Sequence, residues 1–575
     1  MQRRHGRALH ERSGRQAGAT RRVVKILLLL GVLAASMAQA QTSLEQQEQR
    51  ERTQRQAEQR EQLQAAPDVR LQKRPSTQYL ETALPSEQPC FRIVQLSLQG
   101  AHLDQFAFLA RYLDRYRGRC IGQQGLELLA HRASDLLLAR GYVTSRVLIP
   151  EQNLADGQLR LNLLAGTVGA IRFAPGSPRI AWKNALALRP GDVLNLRAIE
   201  QALEQLKRVS SQDVKIDIAP GAQPDTSDLV LTVRQGKRWH VTFNQDDSGA
   251  DANGKEQGGV TLALDQPLGI NDLLTLGVTH DVGGYRGEKG TRGTNFSYSV
   301  PWGAWTFDLS SYNYAYHQQI YGSLHTFTLA GSSPTRSLGI TRLIQRDAVG
   351  KTSLQLTVSG REARSAIDGT EIANQRRQTR TAELALIHRR YLGDAQLDLR
   401  LAYRHGVPWF GGQWSGGANG EPTFRYAVTT LDASLNLPFK ALGTSWLWTS
   451  ELRAQATGDR LYVEDYLTIG GRYTVRGFDG EMTLGGERGA YWRNTLAWPM
   501  GNSGSSLYGG IDTGHVDGTS ATAGVGGQNL SGAVLGIRGG RWGLSWDVFA
   551  GWALSEPRGF PTRRPAFGMQ WIYSL

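Results

Sequence analysis

The residues best placed to do chemistry lie in one stretch, Gly470-Gly471-Arg472-Tyr473-Thr474-Val475-Arg476-Gly477-Phe478-Asp479-Gly480-Glu481. Four glycines in twelve residues call for backbone angles that other residues avoid. Arg472, Arg476, Asp479 and Glu481 set four charges among them, and Tyr473, Val475 and Phe478 supply apolar weight that a disordered tract lacks. The stretch reads as a long structured loop, neither strand nor helix. Catalytic and cofactor constellations fail on inspection. Gly249-Ala250-Asp251-Ala252-Asn253-Gly254-Lys255 spells most of a phosphate loop, but Glu256 stands where a Ser or Thr would hold magnesium, and no helix follows. There is no HExxH and no GxSxG elbow. The eleven histidines are scattered, and no nucleophile sits beside Asp512 and His515. The two cysteines, Cys90 and Cys120, form no CxxC pair. No catalytic residue, metal or cofactor is expected, and the chain does not read as an enzyme.

A chain of 575 residues has room for several domains, or for one large closed sheet with accessories. Mean hydropathy is −0.37, and no apolar run approaches the ~18–20 residues of a spanning helix. Spanning strands alternate and escape such averages. The net charge is +14, and residues 1–25 hold eight Arg/Lys against the single Glu11, which is half of that excess. With half the charge in one terminal segment, no nucleic-acid partner is expected.

The elements that must position the loop come in order. Residues 1–40 read as a signal peptide: a basic start, the apolar run Ile26–Ala35, then Ala38-Gln39-Ala40 before a cleavage point at Gln41. Residues 41–66 carry nine Gln, five Glu and four Arg with only Leu44 and Leu63 as large apolar residues. A helix here would be polar all round and could not dock on an apolar core. Disorder and a helix inside a water-filled pore remain as the two readings. Residues 67–89, with Pro67, Pro75, Pro85 and Pro89, read as an extended linker.

Residues 90–166 and 167–236 read as two small α/β domains. Leu126, Leu129, Ala133 and Leu136 line one helical face in the first, and Ile199, Ala202, Leu203 and Leu206 in the second. From 237 to 575 the period is two. Trp239, Val241 and Phe243 alternate with His240, Thr242 and Asn244, and Trp542, Leu544, Trp546, Val548, Ala550 and Trp552 share one face. A polar face opposite an apolar, aromatic-ended one is what a lipid-embedded, water-filled barrel requires. Sixteen antiparallel strands are expected, with short turns alternating with long loops. Among them are strands 334–345, 505–514 and 542–553. Residues 316–333 read either as a loop or as an added strand pair. The glycine-rich stretch falls in the sixth outer loop, 458–489.

Val475-Arg476-Gly477-Phe478 resembles the VRGY/F motif of the two-partner secretion transporters (TpsB), the haemolysin/haemagglutinin secretion-activation family of the POTRA-barrel superfamily. The flanking "IGGRYTVRGFDGE" and "GERGAYWRNTLAWP" are similar to that family too, as are "GYVTSRVLIPEQNLADGQLRL" and "LNLRAIEQALEQL" to its first and second POTRA domains. The resemblance implies a bacterial outer-membrane translocator with periplasmic POTRA domains. These would catch the secretion domain of one large exoprotein, an adhesin, haemolysin or contact-dependent toxin, by adding a strand at a sheet edge. It also implies that helix 41–66 plugs the pore. An insertase that assembles other barrels is the alternative. Lipid and lipopolysaccharide are the expected surroundings, and a monomer the expected state.

On strand 505–514, Leu507, Gly509 and Ile511 share one face while Tyr508, Gly510 and Asp512 share the other. A charge on the lipid face costs ~2–4 kcal/mol near the midplane, so Asp512 is expected in the lumen. The family carries a G/F-x-D-x-G motif on this strand, met here by Gly510-Ile511-Asp512-Thr513-Gly514, and its Asp pairs with the loop Arg. The resemblance therefore implies a pair between Arg476 and Asp512, expected to be partly screened by lumen water. In an exported protein the two nearby cysteines, Cys90 and Cys120, are expected to form a disulfide.

Overall fold

The period-two stretch closes on itself. In the computed structural model, which describes residues 68–72, 77–283, 287–321, 325–417, 420–501, 503–518 and 527–575, the last strand of this region pairs antiparallel with the first. The expected signal peptide (1–40) and plug helix (41–66) lie outside the described residues.

Two α/β domains precede the barrel. The first has β1 (Gln95–Gly100), α1 (Ala107–Leu113), α2 (Gln123–Ala139), β2 (Arg146–Leu148) and β3 (Gln158–Leu164), with β3 at the sheet centre, parallel to β1 and antiparallel to β2. Leu129, Ala133 and Leu136 of α2 are buried on this sheet, as the helical stripe requires. The alternation of Phe91–Leu98 reads as one strand, but it is split: Phe91–Arg92 pairs with Cys120–Ile121, beside the Cys90–Cys120 disulfide. Closing this loop should contribute about 3–4 kcal/mol. Mass spectrometry of the non-reduced protein is expected to show the Cys90–Cys120 crosslink, and two free thiols would refute it.

The second domain has β4 (Thr167–Phe173), α3 (Leu196–Lys207), β5 (Gln212–Pro220) and β6 (Thr226–Gln235). Asn195 caps α3 by accepting from the Arg197 N–H at 2.8 Å, and Ile199, Ala202, Leu203 and Leu206 are buried.

Sixteen strands form the barrel: β7 (Trp239–Asp246), β8 (Gln257–Asp265), β9 (Leu273–Asp281), β10 (Gly290–Trp302), β11 (Trp305–Tyr321), β12 (Thr326–Ser332 continued by Thr335–Arg346), β13 (Gly350–Ile367), β14 (Arg377–Leu392, with Thr370–Glu371 ahead of it), β15 (Ala395–Gly406), β16 (Ala427–Ala441), β17 (Thr444–Ala456), β18 (Arg488–Pro499), β19 (Ser505–Asp517), β20 (Asn529–Arg541), β21 (Leu544–Ser555) and β22 (Ala566–Ser574). Residues 316–333 are neither a loop nor an extra strand pair. They extend β11 as far as Tyr321 and β12 back to Thr326. Both pieces of β12 pair with β11 on one side and β13 on the other. Pro334, the first residue of the expected strand 334–345, has no N–H to give to a ladder. Here its carbonyl accepts from Glu362 N–H while Ser333 N–H reaches Tyr314, so the wall continues past it. Trp542 belongs to the turn before β21, with φ 53°, and not to the strand.

The chain direction orients the barrel. Asn184 of the second domain donates to the carbonyls of Ile270 and Pro301, in and beside the turns at one end. That end faces the periplasm, and the long connections 407–426 and 457–487 lie at the other.

Candidate functional site

The connection between β17 and β18 does not project into solvent. Leu467, Ile469, Val475, Phe478 and Leu484 are buried together, against Tyr491, Val516 and Leu530 of the wall and Phe560 of the last outer loop. Within the connection, Leu467–Ile469 pairs with Leu484–Gly486 in a short ladder. The whole unit fills part of the lumen.

Alternation on β19 decides where its acid points. Ile511 is 62 % exposed toward lipid, whereas Asp512 is 1 % exposed inside. The structure brings Arg476 to it. Arg476 Nε donates to Asp512 Oδ2 at 2.7 Å and Nη2 to Oδ1 at 2.7 Å, the two-pronged geometry that only a guanidinium offers. The Arg476 backbone N–H donates to Oδ2 at 2.9 Å, and Nη2 also reaches Thr495 Oγ1 on β18 at 2.9 Å. Arg476 is 6 % exposed. The pair is therefore buried and not partly screened: the loop's own backbone and apolar residues shut water out.

The glycines explain how a loop fits this closely. A Cβ on Gly510 would lie 2.8 Å from Arg476 Nη2, and one on Gly514 would lie 2.9 Å from Val475 Cγ2. These two motif glycines open the seat for the arginine and the valine. Gly477, at φ +109°, presses its backbone on the inward faces of β20 and β21. Cβ atoms on Gly532 or Gly551 would meet Arg476 O at 1.9 Å or Gly477 Cα at 2.8 Å. Phe478 then packs edge-on against Phe560, centroids 5.6 Å apart.

The pair is one of several polar anchors. Arg472 lies 3.2 Å from Asp247, just past β7, and donates to the Met569 carbonyl on β22 at 3.3 Å, so it bridges the two strands that close the barrel. Asp465, earlier in the loop, receives Arg361 of β13 at 3.1 Å and lies 4.0 Å from Arg404 of β15. Asp479 accepts from the Arg563 backbone N–H, and Glu481 from that of Asp251, so the tip is tied to the last and first outer loops. The loop is thus fixed at points spread around the wall. Sequence reasoning did not find the partners of Arg472 or the Asp465 contact. It also passed over Gly532 and Gly551, although glycine at inward positions of two neighbouring strands is a readable sign of close backbone approach.

A second polar centre lies at the periplasmic mouth. Asp68 sits among the inward side chains Lys351, Arg389 and Tyr391 of β13 and β14, at 2.9 Å from Arg389 Nη1 and 2.8 Å from Tyr391 Oη. Arg346 at the end of β12 donates to the Val69 carbonyl at 2.6 Å and to Glu204 of α3 at 2.8 Å. The backbone N–H groups of Val69 and Leu71 donate to Glu204 and Glu200. The start of what read as an extended linker, Asp68 to Leu71, is clamped between the barrel and the second α/β domain. Burial alone would raise the Asp68 carboxyl, but Lys351 and Arg389 outweigh it and hold it well below the usual carboxylate range.

A sixteen-stranded barrel, with its sixth outer loop locked into the lumen and two α/β domains at its periplasmic mouth, defines an outer-membrane transporter of the POTRA-barrel class. The chain belongs to the family described as haemolysin secretion/activation protein ShlB/FhaC/HecB, whose sequence profile matches residues 225–539. Profiles of the ShlB-type POTRA domain and of a POTRA domain match 91–166 and 167–220. The outer membrane transporter CdiB-2 of Burkholderia pseudomallei is 41 % identical, over 93 % of this chain and 94 % of that protein. The hemolysin transporter protein ShlB of Serratia marcescens is 27 % identical, over 84 % and 86 %. The solved structure of CdiB from Acinetobacter baumannii superposes with a TM-score of 0.82 at 28 % identity, covering 93 % of this chain and 99 % of that one.

Proposed function

We propose that this two-partner secretion transporter exports a single large exoprotein, held at rest by two closures. The observation that carries this is loop 457–487, seated in the lumen by the buried Arg476–Asp512 pair. The POTRA domains catch the client's N-terminal secretion domain, and the lumen conducts it in extended form as the loop yields. The second closure is a plug formed by 41–66, a reading supported by Asp68, which is caged on the inward wall of the mouth two residues after that segment. An all-round polar helix suits that water-filled space. One closed barrel contains the whole route, so a monomer suffices. Client folding outside the cell supplies the driving force.

The test co-expresses the chain with a candidate large exoprotein encoded beside it. Surface export is expected, and deletion of 91–166 is expected to leave an inserted barrel with export reduced at least tenfold. Undiminished export without the first POTRA domain would refute client capture there.

A further inference from the structure

The outward wall of β11–β14 carries charge where a lipid-facing wall should be apolar. Its face is set by exposure: Leu309, Leu338, Leu356 and Leu384 all point outward. Register aligns Leu309, Leu338, Val358 and Ala382 in one layer across the four strands. Two residues further toward the outer surface, on the same face, the layer reads Ser311, Arg336, Gly360 and Arg380. Gly360 leaves a gap between the two arginines. Arg380 is tied down by Glu362 at 3.4 Å; Arg336 has no acidic partner among the described residues.

The gap is part of a hollow of about 340 Å³ with an apolar floor (Leu309, Leu338, Val358), cationic ends (Arg336, Arg380) and an aromatic roof, Phe410. Phe410 belongs to outer loop 407–426. It is 83 % exposed and stands at φ 50°, a backbone conformation that costs a bulky residue energy. Two layers higher on the same face, Arg292 and Arg364 line a second hollow of about 620 Å³, floored by Ala315 and Ala330 and also bordered by Asp281 and Glu371; Arg364 is paired with Glu362 at 3.6 Å. Arg292 likewise lacks an acidic partner among the described residues.

We propose that this wall is a binding site for a phosphorylated glycolipid of the outer leaflet, with acyl chain on the Leu309–Leu338–Val358 floor under Phe410 and phosphate on Arg336. Sugar-borne anionic groups occupy the hollow at Arg292. The argument is charge complementarity above the apolar band. Guanidinium groups without acidic partners begin one layer above the apolar band, where anionic headgroups begin. A free phosphate would not use the apolar floor, and a neutral lipid would not use the arginines. The proposal rests on the membrane placement of the barrel and not on the export reading, so export data leave it untouched.

The test measures binding of lipid A to the purified full chain in neutral detergent. Comparison ligands are dephosphorylated lipid A, phosphatidylglycerol and inorganic phosphate. Lipid A is expected to bind at least tenfold tighter than each of the three. Arg292→Gln/Arg336→Gln is expected to lose at least tenfold in lipid A affinity while keeping the heat-modifiable mobility of a folded barrel. Both arginines are exposed and make no ion pair in the described fold. Equal binding of any comparison ligand, or unchanged affinity in the folded double variant, would overturn the proposal. Should the variant not fold, the wild-type comparison still decides.

Discussion

Arg476→Ala is expected to insert into the outer membrane at normal abundance and to export its client at least tenfold less well. Removing one partner of a buried ion pair strands the other charge, a cost of about 3–5 kcal/mol. That cost falls on the seat of the loop. The barrel itself is held by the β18–β19 and β19–β20 ladders, which run past Asp512 on both sides without using Arg476. Asp512→Ala should behave alike. In Arg476→Ala/Asp512→Ala no charge is stranded, so the double variant should be no worse than either single one, as coupled sites require. Arg476→Lys keeps the charge but not the fork, and should recover only part of the export. The readout is surface client scaled to barrel abundance. Wild-type export by Arg476→Ala would remove the lock from the mechanism, and additive losses in the double variant would break the pairing.

Deletion of 41–66 is expected to leave a folded barrel whose resting conductance in planar bilayers rises severalfold. Asp68→Ala should move the same way by a smaller amount, because it loosens the anchor that follows the proposed plug while Arg346 still holds the Val69 carbonyl. The pH dependence has a definite sign. A carboxyl held below its unfolded value contributes while it is ionised and loses that contribution only as pH falls through the lowered value. The Asp68 clamp should therefore stay closed from neutral pH to well below the usual carboxylate range. A deletion variant with wild-type conductance would refute a plug. An opening near pH 4.5 that vanishes in Asp68→Ala would refute the depressed carboxyl.

Much of this molecule is legible residue by residue. The helical stripes at Leu129–Leu136 and Ile199–Leu206 read directly as the buried faces of α2 and α3, since both periods are local. Alternation sends Ile511 out and Asp512 in for the same reason. Residues 316–333 read two ways because what continues the wall there is pairing with β11 and β13, which no local period records. Trp542 misled because its apolar type matched the alternating face, although the tight turn before β21 needed its backbone in the left-handed region.

The period-two wall, the two α/β modules before it, the lumen side of Asp512 and the glycine-rich identity of the loop follow from residue order alone. Each is encoded by residues within a few positions of one another. How deeply Arg476 is buried, which glycines give way to the loop, that Arg472 spans the closing strands, and that Asp68 finds Lys351 and Arg389 across 283 and 321 positions emerge from the assembled fold. Those outcomes depend on which distant segments the closed sheet carries to one depth and one side of the lumen. Barrel closure sets that geometry, and no local period records it.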